Sequence, residues 1–277
     1  MFKILCKKEL NSSTVLLEID SPKIAKKALP GQFVIIKQGE KGERIPLTIA
    51  DHDDKKGSVT LIFQAVGDST KKISELQEGE YLTDMVGPLG KASELDGYKS
   101  ACVIGGGLGC AIAYPQAKYL CEHGARVDII AGFRDKENVI LEKEMGDCGN
   151  LYIYTDNGSY GKKGFVTKGL SSLLEEGNKY DVVIAIGPVI MMKAISEITR
   201  EHNIKTIVSM NPIMIDGTGM CGGCRVRVDG KNKFACVDGP DFDGHKVDFD
   251  NLMLRNKMYR YEECKSCNLL KEDKKNG

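Results

Sequence analysis

The chain has 277 residues, 42% of them hydrophobic, and its 39 basic residues are balanced by 39 acidic residues. This length predicts two domains and leaves room for a small appended lobe, and the apolar fraction is ample for packed cores. A net charge of zero gives no field that favours nucleic acid, and there is neither a signal-peptide pattern nor an apolar run of membrane length. We therefore expect a soluble, cytoplasmic protein with no nucleic-acid or membrane partner.

The first part of the chain, residues 1–97, predicts short strands broken by turns. In the clearest of them Val59, Leu61, Phe63 and Ala65 recur at a period of two and would share one face. Short strands at regular spacing predict a small antiparallel β barrel. The predicted strands cover residues 14–19, 32–37, 45–50, 58–66 and 81–86.

The pattern changes at residues 98–210, where apolar strands alternate with helices. This alternation implies parallel pairing with right-handed crossovers, and so a doubly wound α/β domain. Strands are predicted at residues 100–104, 127–133, 151–155, 180–186 and 205–210. Helices are predicted at residues 110–123, 169–176 and 189–202.

Two loops of this α/β domain are candidates for binding a dinucleotide. Each follows a predicted strand and opens a helix, where free N–H groups and the helix dipole favour a pyrophosphate. The first loop lacks the G-x-G-x-x-G fingerprint because Cys110 stands where the pattern has its last glycine. Taken alone, it is equally explained as a tight turn, but a second loop at the same rim favours the binding hypothesis. The candidate residues are Gly105, Gly106, Gly107, Leu108 and Gly109 in the first loop, and Gly187 and Pro188 in the second.

After residue 210 the periodicity gives way to a cysteine-rich loop. Cys221 and Cys224 have C-x2-C spacing and Cys236 follows, while Asp216 stands where the plant-type C-x4-C-x2-C...C pattern has its first cysteine. Glycines between these residues allow the sharp turns that bring four ligands together. We therefore predict a [2Fe-2S] cluster held by Asp216, Cys221, Cys224 and Cys236, in a lobe of residues 211–255 followed by a tail of residues 256–277.

The role of Asp216 has alternatives. Its carboxylate keeps the negative charge of a thiolate and could bind ferric iron in place of the fourth sulfur. It could instead cap a turn, while Cys264 or Cys267 of the tail reaches back as the fourth ligand. Zinc also binds sites of three cysteines and one other ligand, although zinc ribbons usually carry paired C-x2-C motifs.

The barrel carries a second group of candidate residues. A flavin needs an apolar shelf, a hydrogen-bond partner near its reactive nitrogen, and donors for its pyrophosphate. Residues near two strand ends offer such groups, although polar strand ends with turn chemistry have the same composition. They are Arg44, Pro46, Leu47 and Thr48 at the first strand end, and Gly67, Ser69 and Thr70 at the second.

The order of a barrel, a nicotinamide-type α/β domain and a C-terminal iron-sulfur loop resembles the ferredoxin-NADP reductase superfamily. Within it, residues 209–226 and 251–260 are similar to the small subunits of NADH-dependent reduced ferredoxin:NADP oxidoreductases, including the aspartate at the first ligand position. The electron-transfer subunits of dihydroorotate dehydrogenase B share the layout. The similarity spans residues 1–263.

This resemblance implies three cofactors. FAD would bind the barrel through Pro46 to Thr48 and Gly67 to Thr70, with Thr48 near the reactive flavin nitrogen and therefore in the catalytic position. NAD(H) would lie over the two glycine loops, and the [2Fe-2S] cluster would use the C-terminal ligands. The superfamily places its phosphate-binding arginine three residues before the Ser or Thr, which is Ile45 here, so Arg44 stands one residue early. Because Arg134 and Asp135 both follow the second strand of the domain, the residues do not choose between NAD and NADP.

The resemblance also implies an oxidoreductase subunit in a heterodimer. Its partner would be a larger subunit carrying flavin and [4Fe-4S] clusters, which bifurcates electrons from NADPH and sends one branch to ferredoxin and the other through this subunit to NAD. Contact with ferredoxin would be made through that partner. The alternative within the superfamily is the electron-transfer subunit of a dihydroorotate dehydrogenase, which would carry Cys at position 216. An alternative of another class is a non-catalytic redox-sensing or scaffold protein with a structural zinc loop.

Overall fold

The structure is a computed structural model that describes residues 1–40 and 42–258. The tail cysteines Cys264 and Cys267, considered above as possible ligands, lie outside the described residues. Among the residues that are described, no helix is both long enough and apolar enough to cross a membrane.

The N-terminal half is a seven-stranded antiparallel sheet in the order β6-β1-β2-β5-β4-β3-β7. Its two outermost strands, β6 and β7, follow each other in the chain with only residue 83 between them, so the two edges of the curved sheet come together. The strands are β1 (Phe2–Glu9), β2 (Thr14–Asp20), β3 (Phe33–Lys37), β4 (Ile45–Asp53), β5 (Ser58–Gln64), β6 (Tyr81–Leu82) and β7 (Asp84–Leu89). Two short helices, α1 (Pro22–Ala25) and α2 (Asp68–Glu75), lie between strands.

Alternation of side chains explains the core of this barrel. Val59, Leu61 and Phe63 of β5 are each 1% exposed or less and lie in one apolar cluster, as the sequence pattern predicts. Because successive strand residues point to opposite faces, the intervening residues of β5 face away from this cluster.

The second sheet has the order β11-β10-β9-β8-β12-β13-β16. All of its pairings are parallel except the last, in which β16 runs antiparallel to β13. Its strands are β8 (Ser100–Gly106), β9 (Arg126–Phe133), β10 (Asn150–Thr155), β11 (Lys162–Lys163), β12 (Val182–Ile186), β13 (Lys205–Ser209) and β16 (Asp241–Asp243). The associated helices are α3 (Gly109–Glu122), α4 (Glu142–Gly146), α5 (Val166–Glu175) and α6 (Val189–Glu201), and a 3-10 turn covers Lys136–Asn138.

The direction of the connections reverses at the centre of this sheet. From β8 the chain moves outward to β9 and β10, then returns to the other side of β8 and continues through β12 and β13. The carboxyl ends of β8 and β12 therefore flank a topological switch point, where ligands of doubly wound folds bind.

The C-terminal lobe is more regular than the sequence indicates. A hairpin of β14 (Arg225–Val228) and β15 (Lys231–Phe234) leads into the short helix α7 (Ala235–Asp238), and β16 then joins the α/β sheet. The last described helix, α8 (Phe249–Arg255), packs against α6 and β14. Short strands rich in charged residues, such as the Lys231–Phe234 segment, give no apolar signal from which to predict them.

The three parts share apolar cores. Phe33 and Ile35 of the barrel belong to the cluster that contains Cys224 and Cys236 of the C-terminal lobe. On the other side, Ala50 of β4 lies in the cluster formed around α3. Because both clusters cross the boundaries between parts, the site elements are held in a fixed relation.

The predicted barrel followed by a doubly wound domain is confirmed, and several element boundaries differ. The strand predicted at residues 81–86 is two strands, β6 and β7, separated by a bend. Strand β1 and helix α2 were absent from the prediction, because lysines and glutamates interrupt their apolar patterns. The helix predicted at residues 169–176 begins earlier, at Val166.

Candidate functional site

The predicted dinucleotide loops lie side by side at the switch point. Gly105 and Gly106 end β8, Leu108 and Gly109 open α3, and Gly187 and Pro188 connect β12 to α6. A Cβ built on Gly109 would lie 2.2 Å from the Ile186 carbonyl oxygen, and one built on Gly187 would lie 3.1 Å from the Gly106 Cα. The loops thus touch through their backbones, which side chains at these positions would prevent.

Gly107 lies at the open centre of this arrangement. Its φ is +57°, in the left-handed region that favours glycine, and no atom lies within 4 Å of the place that a Cβ would take. The 14-residue helix α3 starts two residues later, so its free N–H groups and the positive end of its dipole lie beside this open space. A negatively charged group that approaches Gly107 would meet a favourable potential.

The residues that follow β9 do not all remain available to a ligand. The Asp135 carboxylate accepts hydrogen bonds from the backbone N–H and the side-chain amide of Asn138, at 3.1 and 2.6 Å. It therefore caps the 3-10 turn that follows, while Arg134 is exposed beside it.

Strand β4 presents two of its predicted flavin residues, Pro46 and Thr48, on the outer face of the barrel, whereas the third, Leu47, faces inward. Ile45 and Leu47 pack against the barrel core, so Pro46 and Thr48 face the other way. Thr48 is partly buried and stands opposite Phe33 of β3. The superfamily's arginine position, Ile45, is thus on the inner face of the strand in this chain.

The second flavin segment is the start of α2. Gly67 precedes the helix, and Thr70 donates its hydroxyl to the Gly67 carbonyl at 3.1 Å and accepts the Gly67 N–H at 3.0 Å. Ser69 donates its hydroxyl to Glu43, just before β4, at 2.5 Å. The Ser69 contact thus joins the two predicted flavin segments, and a cavity of about 320 Å³ lies between them, lined by residues 38–39, 42–43, 68–69 and 72–73.

A larger groove of about 740 Å³ lies between the turn after β4 and the C-terminal half of α3. Lys118 of α3 crosses this boundary with an ion pair to Asp51, at 2.8 Å. The groove contains none of the predicted site residues and lies at the opposite end of α3 from Gly107. The predicted cofactor residues therefore do not line this larger groove.

The predicted cluster ligands fall into two neighbouring pairs. The Sγ atoms of Cys224 and Cys236 are 3.2 Å apart, and both residues are buried. Burial, and then the hydrogen bond with Cys224, raises the pKa of the Cys236 thiol. Two backbone N–H groups, those of Gly223 and Cys236, point to cysteine sulfurs at 3.5 Å. Such N–H to sulfur contacts accompany iron-sulfur clusters and tune their potentials.

The second pair is Asp216 and Cys221. The Asp216 carboxylate accepts the backbone N–H groups of Thr218 and Cys221, at 2.7 and 2.8 Å. These hydrogen bonds, that of Thr218 first, hold the pKa of the Asp216 carboxyl below its ordinary value. Asp216 therefore caps the turn in this structure, which was one of its two predicted roles, and it remains ionised and adjacent to the exposed Cys221.

The four donors do not surround a single point. Within residues 1–40 and 42–258, no three His, Cys, Asp or Glu side chains are arranged to hold one metal ion. A binuclear cluster distributes its four protein ligands over two irons, so two pairs of donors are compatible with its chemistry.

The cluster loop lies directly on the barrel. Gly217 has a φ of +78°, and a Cβ there would lie 2.4 Å from Ile35 Cδ1 and 3.1 Å from Leu89 Cδ1. The Arg44 guanidinium donates to the carbonyl oxygens of Ile215 and Asp216, both at 3.3 Å. The strand predicted to bind the flavin and the loop predicted to bind the cluster are therefore in contact, which no pattern in the sequence indicates.

A buried polar group where the three parts meet was also absent from the sequence interpretation. The carboxyl of Asp241 is buried and accepts hydrogen bonds from Ser93 and Gln116, at 2.5 and 3.1 Å. Its second oxygen and the side-chain oxygen of Gln116 are buried without a hydrogen-bond partner in the described structure. Burial raises the pKa of Asp241 above its ordinary value.

Comparison with known proteins agrees with this layout. The iron-sulfur cluster binding domain of dihydroorotate dehydrogenase B matches residues 211–248. A Clostridium beijerinckii protein described only by its position in the adh 3' region is 51% identical over 275 residues, covering 96% of this chain and 93% of its own length. A Thermotoga maritima homologue of the dihydroorotate dehydrogenase B (NAD(+)) electron transfer subunit is 46% identical, covering 88% of this chain and 86% of its own.

A solved structure resembles this chain throughout. It is a chain from the structure of NADH-dependent reduced ferredoxin-NADP oxidoreductase, with a TM-score of 0.92, 42% identity, and coverage of 98% of both chains. That structure was described for what it shows of flavin-based electron bifurcation. The order of barrel, α/β domain and C-terminal lobe is therefore the same in both proteins.

Proposed function

Because this chain belongs to the family of dihydroorotate dehydrogenase B electron transfer subunits, we propose that it passes electrons between NAD(H), FAD and a [2Fe-2S] cluster. It would do so as the small subunit of an electron-bifurcating, NADH-dependent ferredoxin:NADP oxidoreductase. The similarity to the bifurcating enzyme extends over 98% of the chain.

One observation carries the proposal: the predicted flavin and cluster segments are in direct contact, and the nucleotide rim shares an apolar core with them. Arg44, next to β4, bonds to the cluster loop, and Met191 of α6, which lies against Gly106 of the nucleotide rim, packs on the apolar core that also contains Cys224. Electron carriers work only when they are held close and in order. A fold that places these segments side by side meets this requirement.

The residues fit the proposed groups. Gly107 offers open space at a helix N-terminus for the NAD(H) pyrophosphate. Pro46 and Thr48, on the outer face of β4, would support the flavin, with Thr48 as the hydrogen-bond partner of its reactive nitrogen. The second flavin segment and the cluster ligands complete the sites: Gly67, Ser69 and Thr70 for FAD, and Asp216, Cys221, Cys224 and Cys236 for the cluster.

When bound, FAD supplies the conversion between two-electron hydride transfer and one-electron transfer. The chain's own residues would orient the groups and control solvent. Cys224 and Cys236 are buried and Thr48 on the outer face of β4 is partly covered, which would limit the access of water to these groups. The described residues supply no obvious acid-base pair, and electron transfer of this kind requires none.

We further propose that this subunit works with a larger partner that carries flavin and [4Fe-4S] clusters. Exposed apolar side chains lie on or against the loop that carries the exposed Cys221: Ile215, Met220 and Val237 are 54%, 88% and 47% exposed. Exposed apolar surface of this kind is characteristic of protein interfaces. Ferredoxin would then exchange electrons with the partner rather than with this chain.

Anaerobic purification with quantification of bound groups tests the proposal. We expect one FAD, two irons and two acid-labile sulfides per chain. Protein that contains neither flavin nor iron would contradict it. Zinc without iron and sulfide would instead support the alternative of a structural zinc loop.

The family also supports a second candidate function, the electron-transfer subunit of a dihydroorotate dehydrogenase. The match to the iron-sulfur domain of that enzyme favours it. Asp216 argues against it, because the resemblance implies a cysteine at this position in that subunit. Identification of the subunit that co-purifies decides: a dihydroorotate-oxidising partner would select the second candidate, and a larger flavin and iron-sulfur partner the first.

A further inference from the structure

Arg44 was a candidate flavin-binding residue that stands one position before the superfamily's phosphate-binding arginine, and the structure gives it another set of partners. Its Nε donates to the Ile215 carbonyl and its Nη2 to the Asp216 carbonyl, each at 3.3 Å. These two carbonyls are consecutive, so the planar fork of the guanidinium spans a single peptide segment. Lysine could supply the charge but not both directed hydrogen bonds.

The position of Arg44 follows from the strand that it precedes. Ile45 and Leu47 pack inward against the barrel core, so residues 44, 46 and 48 alternate to the outer face. The one-residue displacement from the superfamily's arginine therefore places this guanidinium on the same face as Thr48. From there it reaches the cluster loop.

The segment that Arg44 holds is fixed from three directions. The Asp216 carboxylate is bound by the N–H groups of Thr218 and Cys221, and Gly217 packs on Ile35 and Leu89 of the barrel. Arg44 binds the carbonyl oxygens of this segment, those of Ile215 and Asp216. We propose that Arg44 is a positioning residue that holds the Asp216 ligand segment against the flavin strand and places a fixed positive charge beside the cluster.

This inference rests on the proposed function, and it predicts an electrochemical consequence. Reduction adds a negative charge to the cluster, and a nearby guanidinium stabilises that charge. Net charge and hydrogen bonding are among the factors that set iron-sulfur potentials. Removal of the guanidinium should therefore shift the cluster potential to more negative values.

The test compares Arg44→Gln and Arg44→Lys with the wild-type holoprotein by potentiometric titration and by EPR spectroscopy of the reduced cluster. Lys56→Gln is the control, because it also removes one positive charge, from an exposed ion pair with Glu18 on the barrel. We expect Arg44→Gln to shift the potential downward and alter the EPR spectrum while FAD content is retained. Arg44→Lys should restore part of the potential but not the spectrum, and Lys56→Gln should change neither.

Other outcomes separate the hypotheses. Loss of the cluster from Arg44→Gln with FAD retained would also support the positioning role. The effect on the cluster potential would then be measured in Arg44→Lys. Loss of FAD with a wild-type cluster potential and spectrum would show that Arg44 serves the flavin phosphates and would overturn the inference. So would variants that are unchanged in all three measurements. Wild-type protein that lacks the cluster would instead contradict the proposed function itself.

Discussion

At the scale of single residues, Asp216 has one of the two roles that the sequence presents as alternatives, the capping of a turn, and this role is compatible with the other. Its carboxylate caps the turn through Thr218 and Cys221, and these bonds keep it ionised beside a cysteine. An ionised carboxylate in that place is ready to act as a ligand. Capping and ligation are therefore compatible, and a variant that separates them is informative.

We expect Asp216→Asn and Asp216→Ala both to lose iron and sulfide, because neither offers an anionic ligand, whereas Asp216→Cys retains them. Asn keeps an oxygen that can accept the turn's N–H groups, so it tests ligation apart from capping. Asp238→Asn is the matched control, because Asp238 accepts the Phe234 N–H at 2.8 Å in the same lobe and is not a predicted ligand. Iron and sulfide assays give the result, and full occupancy in Asp216→Ala would show that another residue is the fourth ligand.

Asp241 is the second residue with a distinctive environment. Because burial raises the pKa of the Asp241 carboxyl, this group keeps its proton in the folded state at pH values where the unfolded state has already released it. Stability therefore falls as pH rises above the ordinary carboxyl pKa of about 4, and the loss is complete above the folded-state pKa.

Asp241→Asn should remove this loss and place an N–H donor near the unpartnered oxygen of Gln116. We expect the variant to be more stable than wild type by about 1–3 kcal/mol near neutral pH, and the gain to shrink towards pH 4. Thermal unfolding across pH measures this, with the exposed Asp54→Asn as a control. An Asp241→Asn variant that is less stable than wild type near neutral pH would contradict this account of the buried carboxyl.

At the scale of elements, the glycine loop after β8 shows how much a local pattern can predict. Strand, turn and helix were all predicted from the sequence, because their apolar runs and glycines are local signals. The contact with the loop after β12 was not predictable in detail, since it depends on parallel pairing between segments about 80 residues apart.

Gly107→Ala tests the role of this loop. The new Cβ would enter the open space proposed for the pyrophosphate, and the left-handed backbone would cost about 1–2 kcal/mol of stability. We expect affinity for NADH to fall at least about tenfold, or ~1.4 kcal/mol.

Gly124→Ala is a matched control, because Gly124 also has positive φ, +83°, with nothing within 4 Å of an added Cβ, at the far end of α3. Calorimetric titration should show that both variants lose stability and only Gly107→Ala loses affinity. Equal NADH affinity in the two variants would place the dinucleotide elsewhere.

The C-terminal lobe marks the limit of sequence interpretation at this scale. Its cysteine spacing identifies the chemistry, but β15 and β16 are short and carry polar residues, so periodicity does not reveal them. Strand β16 exists because it completes the edge of the α/β sheet beside β13. Such an element depends on tertiary pairing, and no local propensity predicts it.

At the scale of the whole molecule, three parts meet around one path. The barrel supplies β4, the α/β domain supplies the switch-point rim, and the C-terminal lobe supplies the thiols. The order of these parts and the chemistry predicted for each follow from sequence patterns, whereas the contacts between them do not. The Arg44 guanidinium donates to the Asp216 carbonyl, and the Gln116 side chain donates to the Asp241 carboxylate. In each pair the two residues are more than 120 positions apart in the chain.

The central claim is that these parts form one electron-transfer path from NADH to the iron-sulfur cluster. Anaerobic titration of the purified holoprotein with NADH, followed by optical and EPR spectroscopy, tests it most directly. We predict that NADH bleaches the flavin absorbance and that the EPR signal of a reduced [2Fe-2S] cluster then grows. Flavin that NADH reduces without any cluster signal, at potentials where dithionite does generate that signal, would contradict the account.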